Sequence, residues 1–154
     1  MLSSPPSASI LPARPADIDA VFAIAEAAFT LPWPREELAL ELSRPYSALR
    51  VLRPSPSERI AAFLNHWRLG DELQIMNVAV APSQLRRGYA RALMHDAEES
   101  ARQMRLGSIF LEVRRSNAAA IRLYESHAYT IVGVRQRYYA DNLEDALVMK
   151  LDLR

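Results

Sequence analysis

A single carboxylate, Glu112, interrupts the apolar run Ile109-Phe110-Leu111-Glu112-Val113. An unpaired charge in such a run is costly, so this side chain either pairs with an arginine such as Arg114 or serves as a base at the end of a buried strand. Further on, Tyr124 falls at helical spacing from Ala120 and Ile121. Its phenol, with an ordinary pKa near ~10, is protonated at neutral pH and able to donate a proton, although packing on the core is the commoner use of such a tyrosine. The third stretch of interest is Val78-Ala79-Val80-Ala81-Pro82-Ser83-Gln84-Leu85-Arg86-Arg87-Gly88-Tyr89-Ala90-Arg91, a strand pattern running through a basic turn into a helix pattern. Free N–H groups at that helix start, beside arginines and the small residues Gly88 and Ala90, suit a phosphate or pyrophosphate. They suit an ordinary solvated strand-to-helix turn equally well. The stretch has neither a Walker lysine nor the two-glycine dinucleotide fingerprint, which weakens kinase, GTPase and Rossmann readings.

The elements that must position these residues follow from periodicity. The sequence predicts a strand over Ala8 to Arg14, a helix from Pro15 to Phe29 and a short helix from Arg35 to Ser43. Strands over Ser47 to Leu52, Ile60 to Leu69 and Leu73 to Val80 read as an antiparallel meander. A helix from Gly88 to about Met104 carries Ala90, Leu93, Met94, Ala97, Ala101 and Met104 on one stripe. It leads to a short apolar strand, Ser108 to Val113, which completes a βαβ unit. Ser116 or Asn117 can cap a helix over Ala118 to Ser126, and strands over Thr130 to Tyr139 and Ala146 to Leu153 end the pattern. The expected fold is α/β: a mixed seven-stranded sheet, antiparallel in its N-terminal part and parallel around the βαβ unit, flanked by about four helices.

Composition narrows the partners. The chain has 154 residues and a formal net charge of +1, so no global field draws it to nucleic acid or to an anionic membrane. Without cysteine it has no disulfide, thiolate zinc centre or cysteine nucleophile, and it fits a reducing compartment. His66, His95 and His127 show no metal-ligand spacing, so no metal is expected. Apolar runs fall short of the ~18 residues of a membrane span, and Met1 to Pro6 lacks the pattern of a signal peptide. One domain over residues 1–154, with residues 1–7 flexible, in the cytoplasm is the expectation.

The run Asn77-Val78-Ala79-Val80, the turn Arg86-Arg87-Gly88-Tyr89-Ala90, and the segment Leu111-Glu112-Val113-Arg114-Arg115-Ser116-Asn117-Ala118-Ala119-Ala120-Ile121-Arg122-Leu123-Tyr124-Glu125-Ser126 resemble the GCN5-related N-acetyltransferases. Within that superfamily they most resemble the bacterial ribosomal-protein-alanine N-acetyltransferase (RimI) type. The resemblance implies a sheet with two neighbouring strands splayed apart, acetyl-CoA as acetyl donor, and a protein N-terminal peptide, from a ribosomal protein, as acceptor; the alternatives are a lysine or small-molecule amine as acceptor, or a module that binds acetyl-CoA without catalysis. It also implies roles. The backbone of Val78, Ala79 and Val80 lies along the pantetheine arm, Arg86, Arg87, Gly88, Tyr89, Ala90 and Arg91 wrap the pyrophosphate, and Asn117 contacts the cofactor. Glu112 matches the general base and Tyr124 the general acid. Trp33 resembles the Pro-Trp that walls the acceptor site, or else is a loop aromatic plugging the core edge, and Tyr138 and Tyr139 match a segment near the acceptor peptide. Asn142, Glu144 and Asp145 after them suit a basic peptide, or else form a solvated hairpin loop.

The base role agrees with elementary chemistry. An attacking amine must be neutral, and an α-amino group with pKa ~7.7 to 8.0 loses its proton far more readily than a lysine near ~10.4. Two positions depart from the family pattern. Leu85 stands where Gln or Arg is usual, with Gln84 one place earlier, and Ala128-Tyr129 replaces Gly-Phe after the last helix. A left-handed Ala128 would cost on the order of 1 kcal/mol.

Overall fold

A computed structural model of the chain describes residues 8–154. The expectations for Met1 to Ser7 lie outside the described residues. Seven strands form one sheet in the order β1-β2-β3-β4-β5-β7-β6. They are β1 (Ser9–Pro12), β2 (Ser47–Arg53), β3 (Ala62–Leu69), β4 (Glu72–Val80), β5 (Ser108–Arg114), β6 (Thr130–Arg135) and β7 (Ala146–Asp152). Every neighbouring pair is antiparallel except β4 with β5. The helices are α1 (Ile18–Ala28), α2 (Arg35–Leu40), α3 (Tyr89–Gln103) and α4 (Ala118–Ser126), so the mixed α/β architecture read from periodicity is the one observed.

Each face of the sheet carries its own core. Helix α1 buries Ile18, Val21, Ile24 and Ala25, spaced for one helical side, against Leu49, Val51, Phe63 and Ala79, with Leu38 of α2 beside them. The other face packs Leu93, Met94, Ala97 and Ala101 of α3 and Tyr124 of α4 on Leu64, Leu73, Ile109, Leu111, Val113 and Met149. Burying an aliphatic side chain of this size contributes ~1.5 to 3 kcal/mol. Because strand side chains alternate, the two cores also fix which way β5 points its residues. Ile109, Leu111 and Val113 face α3 and α4, which sends Phe110, Glu112 and Arg114 to the opposite face.

Several ends differ from the sequence expectation for local reasons. The first helix opens as a 3-10 turn, Pro15–Asp17, where the Asp17 carboxylate accepts the Arg14 N–H at 2.8 Å and pairs with Arg53 at 3.0 Å. Helix α2 stops at Leu40 because Leu42 and Ser43 make tight i to i−3 bonds, while Glu41 turns inward to accept from Ser47 and Trp67. A further 3-10 turn, Pro82–Gln84, precedes the basic turn. Strand β6 ends at Arg135 rather than at Tyr139, since Arg137 takes a φ of +53° and its N–H donates to Asp145 Oδ1 at 3.0 Å. That turn lifts Tyr138 and Tyr139 out of the ladder.

Candidate active site

Strands β4 and β5 pair in parallel only from Glu72 with Ser108 to Ile75 with Leu111. Beyond that point each keeps its other neighbour. Strand β4 stays with β3 as far as Val80 opposite Ala62, and β5 stays with β7 as far as Arg114 opposite Ala146. The sheet is therefore split between Asn77–Val80 and Glu112–Arg114. The cause is a bulge: Asn65 faces Asn77 and His66 faces Ile75, which leaves Met76 as an extra residue in β4. Such an insertion bends the strand that carries it.

Alternation along β4 decides which backbone groups enter the split. Ala81 donates its N–H to Ala61 O at 2.8 Å, so Ala81, Ala79 and Asn77 turn their backbone groups to β3. The N–H groups of Val78 and Val80 point the other way, toward the departed β5. Ala79 puts its side chain in the α1 core and offers the split no backbone donor.

At the open end lies a cavity of about 480 Å³, lined by Val80, the turn residues Gln84, Leu85, Arg86 and Gly88, the α3 residues Tyr89, Ala90 and Arg91, and the α4 residues Ala119, Arg122, Leu123 and Ser126. Left-handed backbone at Arg86 (φ +64°) and Gly88 (φ +81°) curls the chain into α3, whose first N–H groups have no intrahelical acceptor. The donor set fits acetyl-CoA: guanidiniums and amides for a pyrophosphate, apolar Val80 and Leu123 for a pantetheine arm, and no carboxylate among the lining residues. Arg86, Arg91 and Arg122 are the residues that would hold the phosphates. Leu85 lines the cavity beside Gln84, whose Oε1 is buried and unpartnered among the described residues. Arg87 is exposed outside the lining, the Tyr89 ring is buried in the core, and Asn117 caps α4 by accepting the Ala120 N–H at 3.2 Å. Arg122, Leu123 and Ser126 had gone unassigned in the sequence, although with Ala119 they follow the i, i+3, i+4, i+7 spacing of one helix side.

Glu112 does not line this cavity. It sits on the α1 face at the mouth of the split, ion-paired with Arg135 of β6, which answers the pairing question with a different arginine from Arg114. The Tyr138 phenol lies against the same carboxylate, and burial first, then Glu112, push its pKa up. Tyr139 is pushed up to about 12, by burial first, with Arg114 opposing and Glu112 adding. Tyr124 belongs to the other core and is buried; burial, then Tyr139, push its phenol up to about 12. Glu112 and Tyr124 thus lie on opposite faces of the sheet, and neither lines the cavity.

Trp33 packs on Trp67, ring centroids 6.1 Å apart, and lines a separate cavity of about 400 Å³ with Pro34, Glu37, Arg44, Tyr46 and Trp67. The acidic residues after Tyr139 are committed within the protein. Glu144 accepts from the Ser116 N–H at 2.6 Å and pairs with Arg114 at 3.4 Å, while Asp145 pairs with Arg115 at 3.5 Å. Of the two readings of this segment, an acidic surface for a basic peptide or a hairpin loop, these pairs favour the loop. Among the described residues no group of three or more His, Asp or Glu could hold a metal ion, and no helix is long and apolar enough to cross a membrane.

Comparison with known proteins agrees with this geometry. The model of the acetyltransferase (GNAT) family matches residues 18–129. The chain is 34% identical over 134 residues to a putative [ribosomal protein bS18]-alanine N-acetyltransferase of Bacillus subtilis (strain 168), covering 86% of this chain and 87% of the relative. It is 32% identical over 139 residues to the [ribosomal protein bS18]-alanine N-acetyltransferase of Escherichia coli (strain K12), covering 89% of this chain and 92% of that protein. The crystal structure of the ribosomal-protein-S18-alanine N-acetyltransferase from Escherichia coli superposes with a TM-score of 0.86 at 31% identity, over 94% of this chain and 93% of that one.

Proposed function

The chain belongs to the GNAT family of acetyl-CoA-dependent acetyltransferases, and from that premise we propose that it acetylates a protein N-terminal α-amine, namely the N-terminal alanine of a small-subunit ribosomal protein. The observation that carries the reading is the split between β4 and β5, with free strand amides along one edge and a carboxylate at its mouth. The names of the relatives support the acceptor. We take residues 1–154 as one acetyltransferase domain working in the cytoplasm, without nucleic acid or membrane.

Acetyl-CoA, when bound, supplies an acyl carbon activated as a thioester. The chain supplies the rest. Glu112, directly or through one water, takes the proton of the acceptor ammonium and leaves a neutral amine. The Val78 N–H donates to the oxygen that gains charge as the carbonyl becomes tetrahedral. Tyr124 holds a proton at Oη for the leaving sulfur, on the face opposite Glu112, and regains one through water from the second proton that the nitrogen loses as the amide forms. Arg86, Arg87, Gly88, Tyr89, Ala90 and Arg91 hold the pyrophosphate through side chains or amides, Val78, Ala79 and Val80 flank the arm, and Asn117 offers its remaining amide group to the cofactor. Trp33, Tyr138 and Tyr139 flank the acceptor peptide.

Acetyl-CoA with two peptides, one bearing a free N-terminal alanine and one blocked at its N-terminus but carrying lysine, tests the acceptor. Mass spectrometry should locate the acetyl group on the α-amine of the first. Transfer to the lysine, or to small amines alone, would replace the proposed acceptor.

A further inference from the structure

Glu112 and Arg135 reach each other across β7, which runs between their strands. Glu112 is registered with Val148 and Arg135 with Ala146. Directly opposed residues share a face, and the short side chains of Val148 and Ala146 leave the space above β7 open for the ion pair. Of the two partners Glu112 is the more enclosed, its side chain 29% exposed against 60% for Arg135.

We infer that Arg135 is a positioning residue that keeps the ammonium's place on Glu112, a displaceable counter-ion which the cationic end of the acceptor replaces on binding. The inference rests on the reading of Glu112 as base. A comparison with Arg114 shows why displacement is available to one arginine and not the other. Arg114 is held by Asp141 at 2.9 Å, Asn142 at 3.3 Å and Glu144 at 3.4 Å, and it lies on the Tyr139 ring, with its side chain 22% exposed. Arg135 ends the edge strand β6. Among the described residues its only other neighbour of this kind is the Tyr138 ring, 5.9 Å away. Its guanidinium can swing into water at small cost, because a half-exposed ion pair is worth ~0.2 to 1 kcal/mol.

The chemistry of exchange is matched in charge. A free N-terminus reaches the site largely as ammonium near neutral pH, and it offers the Glu112 oxygens the same charge and N–H donors that Arg135 gives up. The phenols of Tyr138 and Tyr139 beside Glu112 cannot supply a positive charge, and Arg114, on the same face of β5, is held by Asp141 and Glu144. Once the ammonium gives its proton to Glu112 and acetylation makes the nitrogen an amide, no cation competes with Arg135. The guanidinium then recovers the carboxylate as that proton leaves to water.

Steady-state kinetics on an N-terminal alanine peptide, in the wild type, Arg135→Gln, Arg135→Lys and Glu112→Gln, test the inference. In Arg135→Gln the peptide KM should fall about two- to fivefold with kcat unchanged, as removal of a competing half-exposed ion pair requires. Its KM should also rise more steeply with salt than the wild type's, while Arg135→Lys should restore both. A KM unchanged or raised in Arg135→Gln, or a fall in kcat that lysine does not rescue, overturns the role of Arg135. Wild-type turnover in Glu112→Gln overturns the base itself, a separate failure read from a separate variant.

Discussion

The guanidinium of Arg114 lies 4.0 Å above the ring of Tyr139. With its bonds to Asp141, Asn142 and Glu144, that contact fastens the segment after β6 to the end of β5 and sets Tyr138 beside Glu112. One strand end therefore carries both the candidate base and the arginine that shapes its surroundings. Arg114→Leu should keep the fold and loosen residues 136–145. Amide exchange there should quicken and the peptide KM should rise about tenfold, as loss of a few charge-assisted bonds requires. Unchanged exchange would show that the segment orders itself without Arg114.

The Tyr124 phenol, pushed up to about 12 by burial and by Tyr139, remains protonated through the physiological range. Tyr124→Phe should lower kcat by roughly 10²-fold at every pH from about 6 to 10, with acetyl-CoA affinity little changed. Because the folded phenol loses its proton only near pH 12, the wild type should show no alkaline loss of activity near pH 10 from this group. A pH-rate profile with a Tyr124-dependent limb well below that value would contradict the acid role.

His66 offers a test of the scaffold. It is 5% exposed, neither ring nitrogen has a hydrogen-bond partner among the described residues, and burial pushes its pKa down to about 4, with Asp96 opposing and Arg50 adding. The unfolded chain takes up a proton near pH ~6.5 that the folded chain refuses. Stability from this source is therefore complete above pH ~6.5 and declines as the pH falls toward about 4, by up to about 3 kcal/mol. Denaturation midpoints measured from pH 7 to 4.5 should fall in the wild type and fall less in His66→Leu. Parallel slopes would remove His66 as the cause.

Ala128 follows α4 with a φ of +72°, the left-handed conformation in which a side chain is strained. Ala128→Gly should stabilise the protein by about 0.5 to 1 kcal/mol and raise Tm by ~1 to 4 °C. An unchanged or lower Tm would place the strain elsewhere.

These positions also show what a one-dimensional reading reaches. Helix α4 occupies Ala118–Ser126 as its apolar spacing and the capping residues before it predict, and Ala128 takes the left-handed conformation that Ala in place of Gly makes costly. Local chemistry writes such features directly into neighbouring residues. The partner of Glu112 was out of reach because β7, last in the chain, inserts between β5 and β6 and brings Arg135 within range. Arg114, one arginine that could have paired with Glu112, is held instead by the acids of the segment after β6. The split in the sheet was expected from family resemblance, whereas its origin, the extra Met76 opposite Asn65 and His66, depends on strand register.

The central claim is that the split between β4 and β5 receives acetyl-CoA along the free edge of β4. Residue-resolved amide hydrogen exchange, with and without acetyl-CoA, reads that edge directly. Val78 and Val80, whose N–H groups face the split, should exchange readily in the free protein and slow by about tenfold or more when acetyl-CoA is added, while Ala79, bonded to β3, should be protected throughout. Exchange at Val78 and Val80 that is unaltered by saturating acetyl-CoA would contradict the account.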